Sequence, residues 1–401
     1  MDNVKKMRNV MAELNGLFAE REELVEYLAI ALLTRNNLFI LGKPGQAKSM
    51  IIDNFRNRIV GAKQFKIALN KEANEEMLFG RIDLPSLIQG KTTMITDGKI
   101  PDSDIVFLDE LFKANDGILN SLLAALNERE YTNEGKLMNI PTISFFSASN
   151  EIPDFKDKSE QSLLALYDRF PIKIVTENIQ DKRNRLKILE QKQNTPNKQP
   201  LYYFTLEELR QMQAEVKTVT IPSRINEAMD YILCEIREKG VFVSDRKFLE
   251  YSPIVQTKAW LEGRTEVMLS DLLILKNYLW FLPKEIGIIE AVLERNCINP
   301  LSNKLAEFET MAAELENDFL QNYTDGSSLS ENAKAFNKFR SELTMLFERL
   351  MVEKDAIGSS NTVDMGLVNQ TVEIIENISK SIHKKAKFTY IPMEQLAVLQ
   401  Q

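Results

Sequence analysis

The stretch Asn36 to Met50, NNLFILGKPGQAKSM, constrains this chain more than any other. Leu38, Phe39, Ile40 and Leu41 form a short apolar run of strand type, and Ile51, Ile52 and Phe55 recur after it at helical spacing. Between them lies Gly42-Lys43-Pro44-Gly45-Gln46-Ala47-Lys48-Ser49-Met50, so the order is strand, glycine-rich loop, helix. Glycines let backbone N–H groups turn inward around phosphate oxygens, and the helix N-terminus adds a partial positive charge. Lys48 then reaches the β- and γ-phosphates of a nucleoside triphosphate, and the Ser49 hydroxyl holds Mg²⁺. At Ala47, where the common pattern has glycine, a methyl is tolerated if that residue is already helical. The competing reading is a glycine-rich turn with no ligand.

Two adjacent carboxylates support the first reading. Ile105-Val106-Phe107-Leu108 is a fully apolar strand followed by Asp109-Glu110, and such charges at the end of a buried strand are costly without a partner. Nucleotide-bound Mg²⁺ would be that partner for Asp109, and Glu110 would orient and deprotonate an attacking water. Taken alone, the same residues would serve as a solvated acidic turn. Gln64 to Leu69 alternates as a second strand, and Thr142 to Ser147 reads as a fourth, ending in Ala148-Ser149-Asn150. Ligands of open α/β sheets bind at the carboxyl ends of strands, which makes Asn150 a candidate to contact the γ-phosphate or the water. A fifth strand, Ile172 to Val175, follows Tyr167-Asp168-Arg169-Phe170-Pro171. Helical patterns through Val10, Leu14 and Leu17 and through Leu24, Tyr27, Leu28 and Leu32 precede the loop and are placed to wall the base pocket.

Two insertions interrupt this core. Gly90 and Gly98 flank Lys91-Thr92-Thr93-Met94-Ile95-Thr96, which suggests a β-hairpin inserted among helices, and Glu130 to Ile140 suggests a second with its turn at Asn133-Glu134-Gly135. The polar segment 191–204, with two prolines, marks a boundary, after which Ile225, Met229, Ile232, Leu233 and Ile236 begin an all-helical region. From Asn299 the spacing becomes three-four. Leu305, Phe308, Ala312, Leu315 and Phe319 form one seam, and Phe336, Phe339, Leu343, Leu346 and Leu350 a second. Leu367, Thr371, Ile374 and Ile378 nearly repeat it, so three antiparallel helices are predicted, with breaks at 324–328 and 357–361.

The length of 401 residues accommodates two or three domains, and a net charge of -8 argues against phosphate-backbone binding as the main task. Nucleic acid is therefore not an expected partner. Cys234 and Cys297 lie far apart and read as buried apolar residues, and a single histidine, His383, leaves no zinc-ligand set. The N-terminus is too mixed in charge for a signal peptide and no apolar run approaches the roughly 18 residues of a membrane span, so a cytoplasmic location without a membrane span is expected.

The stretches LGKPGQAKS, DIVFLDELFKAN with NERE after it, SASNEIP, LYDRF, and VSDRKF with WLEGR behind it resemble, in this order, the AAA+ ATPases of the MoxR family, most nearly its RavA (regulatory ATPase variant A) branch. The resemblance covers residues 15–290. It implies an α/β fold: an AAA+ P-loop core with a five-stranded parallel sheet and helix-2 and pre-sensor-1 β-hairpin inserts, then an all-α lid and a C-terminal helical bundle. The expected limits are 1–195, 196–295 and 296–401. By the same resemblance Asn150 is the sensor-1 residue, Arg169 the arginine finger reaching a neighbouring subunit's nucleotide, and Arg246 the sensor-2 arginine, while the two hairpins face the pore of a ring. ATP and Mg²⁺ are the implied cofactors. The implied assembly is a homo-hexamer acting on a protein substrate, commonly with a partner carrying a von Willebrand factor A (VWA) domain. The C-terminal segments resemble the triple-helical region of the RavA branch without its inserted β-rich domain.

The resulting expectation is an ATPase that remodels or activates a partner protein in a chaperone-like way, with metal-cofactor insertion as one form of that task. The alternatives are an ATP-gated assembly protein with little turnover and a nucleic-acid-associated AAA+ motor.

Overall fold

Five strands form one sheet in which every neighbouring pair is parallel: β1 (Leu38–Leu41), β2 (Gln64–Ala68), β3 (Ile105–Asp109), β4 (Ser144–Ser149) and β5 (Ile172–Val175), in the order β5-β1-β4-β3-β2. The structure, a computed structural model, describes every residue except 1, 91–92, 134–135, 158–161, 195–198, 299, 324–328, 358–361 and 401. It divides into two compact units, Met1–Leu293 and Glu294–Gln401.

In the first unit, helices cover the sheet on both faces, which is why β3 and β4 are buried almost throughout and read as continuous runs instead of alternating. The observed β4 lies two residues beyond its predicted span. Thr142 and Ile143 are used before the strand, the Thr142 hydroxyl donating to Ser103 O at 2.7 Å and Ile143 N to Asp104 O at 2.8 Å. Ala148 pairs with Ile40 on one side and Asp109 on the other, and Ser149 pairs with Leu41, so the strand continues to Ser149 and delivers Asn150 at its end. Helix α1 (Asn3–Leu17) is capped by the Asp2 side chain. Helix α2 (Glu22–Thr34) buries nine residues between Leu24 and Leu33 and is a core helix, not an amphipathic surface one. Helix α3 (Lys48–Arg56) follows the glycine-rich loop, and α4 (Asp116–Glu128) follows β3, capped by Asn115.

The first insertion pairs Arg81–Ile82 with Met94–Ile95 in antiparallel fashion, with a short helix Leu84–Ile88 between them; Lys91 and Thr92 of the predicted hairpin lie outside the described residues. The second pairs Glu130–Asn133 with Lys136–Asn139, and the predicted turn at Glu134-Gly135 lies outside the described residues. Beyond 204 the first unit is helical. Leu206–Val216 starts on a capping box between Thr205 and Glu208, and Ser223–Glu238 buries Ile225, Met229, Ile232, Leu233 and Ile236. Cys234, expected to be buried, is exposed, because it stands on the other side of that helix from this apolar stripe; Cys297 is buried as expected.

The second unit holds three long helices, Pro300–Asn322, Leu329–Ile357 and Thr362–Ala386, and a short one, Met393–Gln400. The predicted breaks at 324–328 and 357–361 lie outside the described residues, apart from Ile357, which is the last residue of the second helix. The first two seams pack as their spacing predicts, apart from Leu315, which is only partly buried. The third helix is turned by one position: Val368, Thr371, Ile375 and Ile382 are buried, whereas Ile374 is 39% exposed. His383 is the reason on its C-terminal side. It is buried beside Ile382, stacked edge-on against Phe336 and Tyr390, with Nδ1 2.8 Å from Ser379 O.

Candidate functional site

At the carboxyl ends of β1, β3 and β4, Lys48, Ser49, Asp109, Glu110 and Asn150 come together. Gly42 follows β1 directly and donates its N–H to Ser149 O at 3.1 Å. A Cβ there would stand 2.0 Å from Thr176 Oγ1 and 2.3 Å from Gln46 Oε1, so any larger residue would push those side chains off the loop. Gly45 takes φ +84°, as the turn requires. Ala47 departs from expectation: it is not helical but left-handed, φ 60° and ψ 18°, and serves as the N-cap of α3. This is the conformation for which glycine is usual, and an alanine there stores about 1–2 kcal/mol of strain. Lys48, 8% exposed, extends back across the loop, donating to Gly42 O, to Lys43 O at 3.0 Å and to Asn150 Oδ1 at 2.9 Å. Burial pulls its pKa below the ordinary lysine value, opposed by the carboxylates of Asp109 and Glu110. Lys43, Pro44 and Met50 are exposed on the rim of the loop.

Ser49 Oγ donates to Asp109 Oδ2 at 2.8 Å, which joins the first residues of α3 to the end of β3. Asn150 lies between two charges, since its Nδ2 donates to Glu110 Oε1 at 2.6 Å while its Oδ1 accepts from Lys48. Glu110 Oε2 pairs with Lys113 Nζ at 3.2 Å, and the Glu110 backbone is left-handed, φ 54°, held by a 2.8 Å bond from its N–H to Ala148 O. Such strain persists only where the surroundings over-determine it. The donor set fits Mg²⁺ carried by a nucleotide. One hydroxyl and one carboxylate, both hard oxygen donors, converge beside a glycine-lined cradle, and among the described residues no group of three His, Cys, Asp or Glu side chains forms an all-protein cage. The first N–H groups of α3, nine residues long, have no intrahelical partner and face the same place.

Sequence reading missed the residues that shape the other side of the loop. Thr176 Oγ1 donates to Gln46 Oε1 at 2.8 Å and Gln46 Nε2 to Asn178 Oδ1 at 3.2 Å, which pins the loop to the chain leaving β5. Their only signal was position, just past a strand end. A cavity of about 680 Å³ opens there, lined by Gly42, Gln46, Ile152, Thr176 and Pro283, and a second, of about 490 Å³, shares Thr176, Asn178 and Pro283 and continues toward Leu24 of α2.

Arg169 and Arg246 are elsewhere. Arg169 precedes β5, and its backbone carbonyl accepts from Asn37 Nδ2 at 2.8 Å; Asn37 precedes β1. Both stand at the amino edge of the sheet, across the four residues of β1, which span about 13 Å, from the phosphate loop. Arg246 lines the same cavity as Arg169, about 310 Å³, together with Arg35, Arg129, Asp168 and Glu250. Its Nε lies 3.2 Å from Glu250 Oε2. Arg169 Nε is buried and has no hydrogen-bond partner among the described residues. The structure thus brings Lys48, Ser49, Asp109, Glu110 and Asn150 into one site, and Arg169 with Arg246 into another on the far edge.

A parallel sheet in the order β5-β1-β4-β3-β2, a phosphate loop after β1, an acidic pair at the end of β3 and a following helical lid define the AAA+ class of ATPase fold. A family model described as "MoxR domain in the MoxR-vWA-beta-propeller ternary systems" matches residues 5–214, and one described as "AAA lid domain" matches 220–293. The chain belongs to the MoxR family of AAA+ ATPases. It is 33% identical over 353 residues to the uncharacterized protein MJ0079 of Methanocaldococcus jannaschii, covering 87% of this chain and 89% of that one. To the uncharacterized protein MJ0812 of the same organism it is 29% identical, covering 95% and 98%. A crystal structure of a "putative ATPase" from Cytophaga hutchinsonii matches with a TM-score of 0.58 at 16% identity, over 73% of this chain and 94% of that one, and shows the shared fold. Among the described residues no helix is long and apolar enough to cross a membrane.

Proposed function

We propose that this chain hydrolyses ATP in a ring, in which each active site is completed by the neighbouring copy, and uses the cycle to remodel or activate a protein partner. The observation that carries the reading is the placement of Arg169 and Arg246 together on the sheet edge opposite Lys48, Ser49 and Asp109. Neither arginine reaches its own chain's phosphate loop, so each is free to address another's. In this reading Lys48 binds the β- and γ-phosphates, and Ser49 and Asp109 hold Mg²⁺, which when bound neutralises charge developing on the phosphate oxygens. Glu110 takes the proton of the attacking water. Asn150 orients that water by exchanging its present partners, Lys48 and Glu110. Arg169 of the neighbour stabilises the transition state, and Arg246 links the γ-phosphate to lid movement.

The family description supports a partner with a VWA domain, which makes a three-part assembly with a β-propeller protein the first one to seek. The three-helix second unit supports placement near the RavA branch. A hexamer is the expected ring, located in the cytoplasm.

Steady-state ATP turnover per subunit, measured over a wide range of protein concentration, tests the reading. It should climb with concentration as rings form, and Arg169→Ala should lower it by roughly three orders of magnitude or more. Turnover independent of concentration and indifferent to Arg169 would mean the site is complete within one chain.

A further inference from the structure

The amino-edge geometry converges on Arg129. It follows α4 in a left-handed conformation, φ 57° and ψ 41°, and its guanidinium is used on both sides. Nη1 donates to Leu126 O at 2.8 Å, closing the carbonyl end of α4, and Nη2 donates to Asn37 Oδ1 at 2.7 Å, with Arg35 O at 3.3 Å. The ring of Phe145, on β4, lies 4.8 Å from the guanidinium carbon. Asn37, 4% exposed, spends the rest of its amide on the same cluster. Its Nδ2 donates to Arg169 O at 2.8 Å and Leu126 O at 3.2 Å, and its Oδ1 accepts from Phe145 N at 3.3 Å. One guanidinium and one carboxamide therefore tie the end of α4, the start of β1 and the second residue of β4 to the backbone of Arg169.

Capping a helix does not require this residue, because glycine or asparagine adopts the left-handed cap at lower cost. What only arginine supplies is a planar fork that reaches the helix carbonyl and the Asn37 amide at once. Arg35, whose carbonyl it also meets, is left-handed too, at φ 59°. Burial brings the Arg129 pKa down to about 10, with Arg35 adding repulsion, which leaves it a cation at neutral pH.

We propose that Arg129, acting through Asn37, is a positioning residue for Arg169, setting where the guanidinium directed at the neighbouring copy stands. The proposal rests on the reading that Arg169 acts in a neighbour's site. Because the hairpin begins at Glu130, and Ile140 N donates back to Arg129 O at 2.6 Å, the clamp also joins the hairpin's root to the finger.

Mixing two defective chains tests it. Glu110→Gln spoils a subunit's own site and keeps its finger, whereas Arg169→Ala does the reverse, so together they should regain turnover. If they do not, the trans reading is lost and this proposal with it. Given that control, Arg129→Ala should bind a fluorescent ATP analogue within about twofold of the parent while kcat falls roughly 10- to 100-fold, the scale of a misplaced catalytic group. It should regain turnover when mixed with Glu110→Gln and fail to do so with Arg169→Ala, since both of those lesions lie in the same half-site. Recovery with Arg169→Ala, or none with Glu110→Gln, would overturn the proposal. Arg129→Lys keeps the charge without the fork and serves if the alanine variant fails to bind nucleotide. It should show the same mixing pattern, and full kcat in it would overturn the proposal equally.

Discussion

At the carboxyl edge of the sheet, Lys48 and Ser49 open α3 directly after the glycine-rich loop and meet three residues, Asp109, Glu110 and Asn150, each placed directly at a strand end. At the amino edge, Arg35, Arg129, Arg169 and Arg246 come from four separate segments and meet only because β1, β5 and a lid helix begin, and α4 ends, near one another. Both edges store backbone strain. Ala47 and Glu110 are left-handed at the first, Arg35 and Arg129 at the second, and these are four of the six described non-glycine residues with positive φ. The compensation differs. Ala47 has a methyl with nothing to bond, whereas Arg129 offsets its conformation with a guanidinium that holds several oxygens. A glycine-rich loop is a local backbone shape, whereas bringing Arg169 and Arg246 to one cavity is a matter of long-range placement.

The largest effect that would break this contrast is at the carboxyl edge. Lys48→Ala should weaken ATP binding by at least about 100-fold, because a charged hydrogen-bond donor in a buried loop contributes on the order of 3 kcal/mol; equilibrium titration with a labelled nucleotide reads it. Unchanged affinity would mean that the loop is not the phosphate site. The next is at the amino edge. Arg246→Ala should leave that affinity nearly intact and lower turnover by roughly 10-fold, as an exposed lid charge lost from a transition state would. A loss of affinity as large as that of Lys48→Ala would place Arg246 in its own chain's site and erase the distinction between edges. The smallest concerns strain. Ala47→Gly should raise the thermal midpoint by roughly 2–4 °C, by relieving about 1 kcal/mol, and a lowered midpoint would show that the methyl contributes packing that outweighs its backbone cost.

Much of the fold was legible because its signals are periodic or contiguous. The five strands, the phosphate loop and the two packed seams of the second unit follow from apolar runs and helical spacing. What escaped depended on the neighbours of a residue. Lys173, the polar member of Ile-Lys-Ile-Val in β5, is fully buried, its ammonium 4.7 Å from the Tyr167 ring and 5.5 Å from that of Phe281, and burial holds its pKa well below the ordinary lysine value. Phe281 lies far along the chain, so no local pattern could foretell the cover. Cys234 and Ile374 went astray for the converse reason, since each sits beside buried apolar neighbours on a helix while facing away from them.

The sequence by itself determined the glycine-rich loop, the acidic pair at the end of β3 and the class of fold, because a handful of adjacent residues sets the backbone angles of the loop and the charges beside it. Only the tertiary structure decided that Arg169 and Arg246 share the opposite edge and that Asn37 and Arg129 hold one of them. Those contacts depend on which strands lie side by side and on which ends they present, and that is settled by packing across the whole sheet.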